Sequence, residues 1–225
     1  MTRRRQVGSG FVELVDHMGD AVTVVNAARI SHGRQVTELG DADEHLLRYL
    51  WLNEHTSPFR HVSLQFHIKA PIFVLRQWMK HQVGCSWNEI SGRYVTFKDE
   101  PWQVEQWRAA APKVKQGSGG PLEDNAALSA AIIYERAMTR SFATYELLLG
   151  LGVAKEQARL VLPLSLMSEC WWTCSLQALV HFLYLRTEEH AQSEIRDFAE
   201  AVKALAFDVP GLEPILRVCL DRRPD

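Results

Sequence analysis

The sequence predicts an α+β fold. A few strand-like runs cluster early in the chain, helical periodicity surrounds and follows them, and 47% hydrophobic content over 225 residues suffices for one sizeable core. The simplest organisation is a single domain over residues 1–225.

The elements follow from local pattern, taken in chain order. Arg3, Arg4 and Arg5 make a basic tip with no apolar run behind it, so residues 1–9 read as a flexible tail and not a secretory signal. Gly10 to Arg29 reads as a strand followed by a short helix. Ala42 to Asn53 carries Leu46, Leu47, Leu50 and Trp51 at helical spacing. From His61 to Lys69, Val62, Leu64, Phe66 and Ile68 alternate with Ser63, Gln65, His67 and Lys69, the pattern of a half-buried strand. Pro71 suits the first turn of a helix in which Ile72, Phe73, Leu75, Trp78 and Met79 recur, with Phe73 and Trp78 as core. Ser91 to Phe97 is rich in β-formers and predicts a second strand.

Residues 113–125, dense in glycine and polar side chains, predict a surface loop. Beyond it lie a long amphipathic helix from Ala126 to Leu149, closed by Gly150 or Gly152, and a short one from Ala154 to Leu160 ended ahead of Pro163. Ser175 to Arg186 and Glu188 to Phe207 predict two more.

Composition excludes several classes. A net charge of -2 and a pI near 6.5 supply no basic field for nucleic acid. No apolar run approaches the ~20 residues a membrane helix needs, which predicts a cytoplasmic protein. Four scattered cysteines make no disulfide scaffold. Cys170 and Cys174 would share a helix face, yet no second pair at zinc spacing accompanies them, so they read as buried thiols and no metal site is predicted.

The chemistry concentrates between Gln77 and Tyr94. That stretch gathers Lys80, Arg93, His81, Gln77, Gln82, Asn88, Glu89 and Ser91 around two tryptophans and a Gly-containing turn. Cations meet phosphate, while amides and a carboxylate read the edge of a planar heterocycle. Singly, each residue has a structural reading. Ser91 suits a turn hydroxyl, Glu89 a cap beside Asn88, and Arg186 a helix-end cation worth only ~0.3–1 kcal/mol.

Jointly they form a pattern. Gln77, Trp78, His81, Asn88, Glu89, Ser91, Arg93 and Tyr94 keep the frame Gln-Trp-x-Arg-His-Arg…Asn-Glu-x-Ser-x-Arg-Tyr, and the segment resembles the signature of the flavin-dependent thymidylate synthases. Lys80 and Gln82 replace the two arginines of the triplet. The resemblance extends to Gly10–Asp16, Ala27–Ser31, Ala158–Leu164, Phe182–Arg186 and His190–Ile195, roughly residues 10 to 200.

That resemblance implies an antiparallel sheet with surrounding helices, and a homotetramer with sites shared between chains. It implies reductive methylation of dUMP at uracil C5 to give dTMP, with FAD as cofactor and methylenetetrahydrofolate and NADPH as co-substrates. Arg186 would be the catalytic residue beside the uracil N3–O2 edge. Gln77, Glu89, Ser91, Gly92, Arg93 and Arg159 would complete the nucleotide site, with Ser91 not a nucleophile. Ser57, Lys80, His81, Gln82, Glu89, Ser175, Gln177 and His181 would face the flavin.

Ser175 and His181 stand where the family usually has Asn, Gln177 where it commonly has Arg, and Arg60 where many relatives are acidic. Arg60 is therefore a candidate to replace the lost cation. Two alternatives stay open: a C5-methylase acting on UMP, or on both nucleotides, in nucleoside natural-product synthesis, and a non-catalytic flavin- or nucleotide-binding relative.

Overall fold

Alternating apolar and polar side chains lay down the sheet that positions everything else. The computed structural model describes residues 4–111 and 117–221. Its five strands are β1 (Arg4–Val7), β2 (Gly10–Met18), β3 (Ser63–Pro71), β4 (Cys85–Glu89) and β5 (Met167–Ser175). They are antiparallel throughout, in the order β1-β2-β3-β5-β4.

Leu64, Phe66, Ile68 and Ala70 of β3 are buried, as are Cys170, Trp172 and Cys174 of β5. Phe66 opposes Trp172, and Trp172 opposes Trp87 of β4, so an aromatic row crosses three strands with stacked rings 5.5 and 5.4 Å apart.

Eight α-helices occupy the described residues: α1 (Ala21–Arg29), α2 (Asp41–Leu52), α3 (Ile72–Trp78), α4 (Asp124–Gly150), α5 (Lys155–Ala158), α6 (Leu176–Arg186), α7 (Ser193–Phe207) and α8 (Glu213–Asp221). Trp78 at the end of α3 stacks on Phe182 of α6 at 4.7 Å and meets Trp172 edge-on at 5.2 Å. Burying each such ring is worth about 1.5–3 kcal/mol or more. The residues that follow Trp78, and those that follow Phe182, thereby acquire fixed places. No helix among the described residues is long and apolar enough to cross a membrane.

The predicted α+β architecture is present, with five corrections of detail. Arg4–Val7, expected in a flexible tail, pair with β2 from Arg4↔Glu13 to Val7↔Gly10; residues 1–3 lie outside the described region. Ser91–Phe97 is not a strand. The ladder closes at Ile90, whose amide donates to the Glu169 carbonyl, and the next residues turn as the amides of Tyr94 and Val95 both donate to the Ser91 carbonyl. The strand lies at Cys85–Glu89 instead, where Trp87 can stack on Trp172.

Cys170 and Cys174 stand on β5, because four-residue spacing returns to one face of a strand as it does on a helix. The helix expected from Glu188 starts at Ser193, after a turn in which Ala191 donates to the Glu188 carbonyl. Of the expected loop, residues 113–116 lie outside the described region. Its far limb folds back as a bridge between Arg108 and Pro121, with Leu122 donating to Trp107.

Candidate active site

The end of α3 places His81. Its backbone amide donates to the Trp78 carbonyl, and Trp87 Nε1 donates to the His81 carbonyl at 3.3 Å. The imidazole is buried, edge-on to Phe182 at 5.2 Å and 5.7 Å from the ring of His181. At 3.0 Å, Arg186 Nε donates to His81 Nε2.

An acceptor at Nε2 requires a neutral ring, and the surroundings keep it so. Burial, the Arg186 guanidinium and His181 together hold the His81 pKa down at about 4. Burial also lowers the pKa of Arg186, which nonetheless stays a cation. Nε is thus engaged, and a guanidinium carries two further nitrogens able to grip a planar acceptor edge.

His181, five residues before Arg186 on α6, also lines a cleft of about 490 Å³ with Trp51, Glu54, Thr56, Gln177, Tyr184 and Leu185. Two aromatic walls, an amide, an imidazole and a hydroxyl suit a planar, hydrogen-bonding cofactor such as a flavin. Ser57 follows Thr56 in a 3₁₀ turn and is exposed. Lys80 and Gln82 are exposed on either side of buried His81. Ser175 is the N-cap of α6, its hydroxyl accepting from the Ala178 amide at 3.3 Å. Gly84 (φ +72°) approaches so closely that a Cβ there would stand 2.7 Å from Ser175 Oγ.

A second cluster forms on the turn after β4. Ser91 Oγ accepts from the Arg93 amide at 3.4 Å and from Arg93 Nε at 3.2 Å. Gly92 is buried against Phe97 and Arg159, so that a Cβ added there would collide with Phe97 Cε2 and lie 3.1 Å from Arg159 Cδ, and Lys155 donates to the Tyr94 carbonyl at 3.1 Å. The Arg159 side chain thus passes beside the turn that carries Arg93, with its Nε donating to the Glu156 carbonyl at 3.4 Å, and guanidinium groups suit a phosphate.

Glu89, at the end of β4, accepts from the buried Ser168 hydroxyl at 2.6 Å. Gln77 donates to Gln192 at 2.6 Å, and Gln192 to Glu194 at 2.8 Å. Arg60 reaches Thr56 Oγ1 at 3.4 Å, beside the cleft.

Sequence reasoning missed the cleft residues Trp51, Glu54, Thr56 and Tyr184, together with Ser168 and Gln192. One signal was present. Helix α2 ends without a glycine, and Glu54 (φ +57°) takes the left-handed conformation that Gly or Asn prefers after a helix.

Residues 13–209 match the family model described as thymidylate synthase complementing protein. A flavin-dependent thymidylate synthase of Thermus thermophilus is 46% identical over 193 residues, which cover 86% of this chain and 70% of that one. The enzyme of the same name from Kosmotoga olearia is 41% identical, covering 86% of this chain and 83% of its own. Among solved structures, the UMP/dUMP methylase PolB from Streptomyces cacaoi bound with 5-Br UMP superposes with a TM-score of 0.82 at 32% identity, over 93% of this chain and 92% of that one. Its complex with 5-Br dUMP gives 0.81 at 34% identity, over 93% of each.

Proposed function

Because the chain belongs to the flavin-dependent thymidylate synthase family, we propose that it methylates dUMP at uracil C5 to give dTMP, with FAD as cofactor. The observation that carries this reading is the Arg186–His81 hydrogen bond beside the aromatic cleft. When bound, the flavin supplies the reducing equivalents, methylenetetrahydrofolate the one-carbon unit, and NADPH the means to reduce the flavin again.

The chain's own residues position and polarise. Arg186 sits against the N3–O2 edge of uracil and stabilises negative charge as it develops on the ring. Neutral His81 fixes Arg186 through Nε and leaves the terminal nitrogens for the substrate. Arg93 and Arg159 hold the 5′-phosphate, Ser91 orients Arg93, and buried Gly92 lets Phe97 and Arg159 come close. Ser91 is therefore a positioning hydroxyl and not a nucleophile. Glu89, held by Ser168, and Gln77, held by Gln192, complete the nucleotide side. Ser57, Lys80, His81, Gln82, Ser175, Gln177 and His181 border the flavin.

The chain works as one domain in a homotetramer with shared sites. Supporting one domain, its buried core draws on elements from Val7 to Cys219. Supporting assembly, α4 runs 27 residues yet buries only Phe142 and Tyr145, while Leu128, Ile133 and Leu147 are more than 60% exposed. We place it in the cytoplasm.

Turnover of dUMP against UMP, with FAD, NADPH and methylenetetrahydrofolate, tests the function. Product from dUMP is expected; no product from either nucleotide would overturn the enzymatic reading. The likeness to a UMP/dUMP methylase favours UMP as the second substrate to try.

A further inference from the structure

Cys85 of β4 and Cys174 of β5 are direct partners in the ladder. The Ser175 amide donates to the Gly84 carbonyl at 2.9 Å, and the Ile90 amide to the Glu169 carbonyl at 2.9 Å. Hydrogen-bonded pairs therefore fall on the even residues of β4, and Cys85–Cys174 is a non-hydrogen-bonded pair. In such a pair the Cα atoms stand about 4.5 Å apart with side chains on one face, inside the ~4.4–6.8 Å range that a disulfide spans.

Both are free thiols, Cys174 buried and Cys85 half-buried. Cys85 Sγ lies 3.8 Å from the Val83 carbonyl, and rotation about χ1 exchanges that weak contact for Cys174. The neighbouring pair, Trp87 and Trp172, stacks on the same face. Burial raises the pKa of both thiols, and the proximity of Cys85 raises that of Cys174 further. Neither is a reactive lone nucleophile, so what favours the bond is opposition across the ladder.

We propose that Cys85 and Cys174 are a modification site: a cross-strand pair that a small-molecule disulfide closes reversibly, weakening flavin binding. The Cys85 thiolate attacks one sulfur of the reagent and expels a thiolate. Cys174, deprotonated in turn, attacks Cys85 Sγ and expels the second. Two protons and two electrons pass from the protein to the reagent, leaving one new S–S bond and two small thiols.

The effect on flavin rests on the proposed cofactor site. Cys85 closes the turn that carries Lys80, His81 and Gln82, and Cys174 precedes the cap of α6, which bears Gln177, His181 and Arg186. Opposed Cβ atoms about 4.5–5.5 Å apart must close to roughly 3.8 Å in the bond, which draws these two segments together.

The full chain is treated with oxidised glutathione, and its thiols are counted after denaturation. Four free thiols are expected before treatment and two after, with a dithiothreitol-sensitive cross-link between the Cys85 and Cys174 peptides and none in Cys85→Ser. FAD affinity should fall roughly threefold or more on oxidation and return on reduction. Four thiols after oxidation, or a lasting glutathione adduct with no cross-link, would overturn the site. A cross-link with unchanged FAD affinity would overturn the coupling. Absence of FAD binding to the reduced protein would refute the flavin reading alone, because the thiol count does not depend on it.

Discussion

The two arginine clusters are held in opposite ways. Arg186 extends from a helix whose inner face is locked into the aromatic core, and its Nε is bonded to a buried, neutral imidazole. Arg93 stands exposed on a turn, steadied by one serine hydroxyl and lying 5.0 Å over the ring of Tyr94. A cation that must meet charge developing at one edge of a ring gains from being fixed in advance. A cation that must meet a phosphate tolerates adjustment, because the phosphate offers several equivalent oxygens and long-range attraction.

The sharpest break of that contrast is Arg186→Ala. We expect kcat/KM to fall about a hundredfold or more, the scale of a lost electrostatic donor. The melting temperature should fall by several degrees without loss of folding, since the lost helix-end charge is worth under ~1 kcal/mol and the unpaired His81 acceptor about 1–3 kcal/mol. Loss of folding with unchanged specific activity in the soluble fraction would make Arg186 structural.

His81 offers a pH readout of the pinned side. Folded, its pKa is about 4 against 6.5 unfolded, so between those values the unfolded chain binds a proton that the folded chain refuses. Its contribution is complete above pH 6.5 and is lost as the pH falls toward 4, on the order of 2–3 kcal/mol. Urea midpoints measured across that window should decline in the wild type and decline less in His81→Gln; parallel curves would remove His81 as the source.

On the exposed side, Arg93→Ala should raise the nucleotide KM about tenfold or more, the cost of one charge-assisted hydrogen bond, with kcat less affected. A loss confined to kcat would mean that Arg93 serves the reacting ring and not the phosphate.

Flavin affinity separates the buried His81 from its exposed neighbours. If Lys80 and Gln82 face flavin charge, Lys80→Arg/Gln82→Arg should tighten FAD binding about ten- to thirtyfold. Weaker binding would indicate that Arg60, placed against Thr56 beside the cleft, already fills the role. Unchanged affinity would mean that neither position meets the flavin.

The smallest effect concerns strain at the cleft. Glu54→Gly should relieve the left-handed backbone at φ +57° by about 1 kcal/mol, raising the melting temperature by about 2–4 °C. An unchanged or lower melting temperature would show that Glu54 side-chain contacts outweigh the strain.

Much of this was legible in the sequence because it is local. Alternation along β3 buries Leu64, Phe66 and Ile68, and helical spacing along α2 buries Leu47, Leu50 and Trp51, since one strand or helix face must turn inward wherever the chain goes. The residue types of the Gln77–Tyr94 block pointed to an anion and a planar heterocycle, and the nucleotide and flavin came from its resemblance to a family signature. What the tertiary structure decided is pairing. Sequence cannot place β4 at Cys85–Glu89 instead of Ser91–Phe97, because that choice is made by Trp87 stacking on Trp172, about eighty residues away. Nor can it bond Arg186 to His81 across 105 positions, or set Cys85 against Cys174. Those contacts form where β5 inserts between β3 and β4 and carries α6 onto the end of α3, a juxtaposition stabilised by burying long-range aromatic surface that no local window contains.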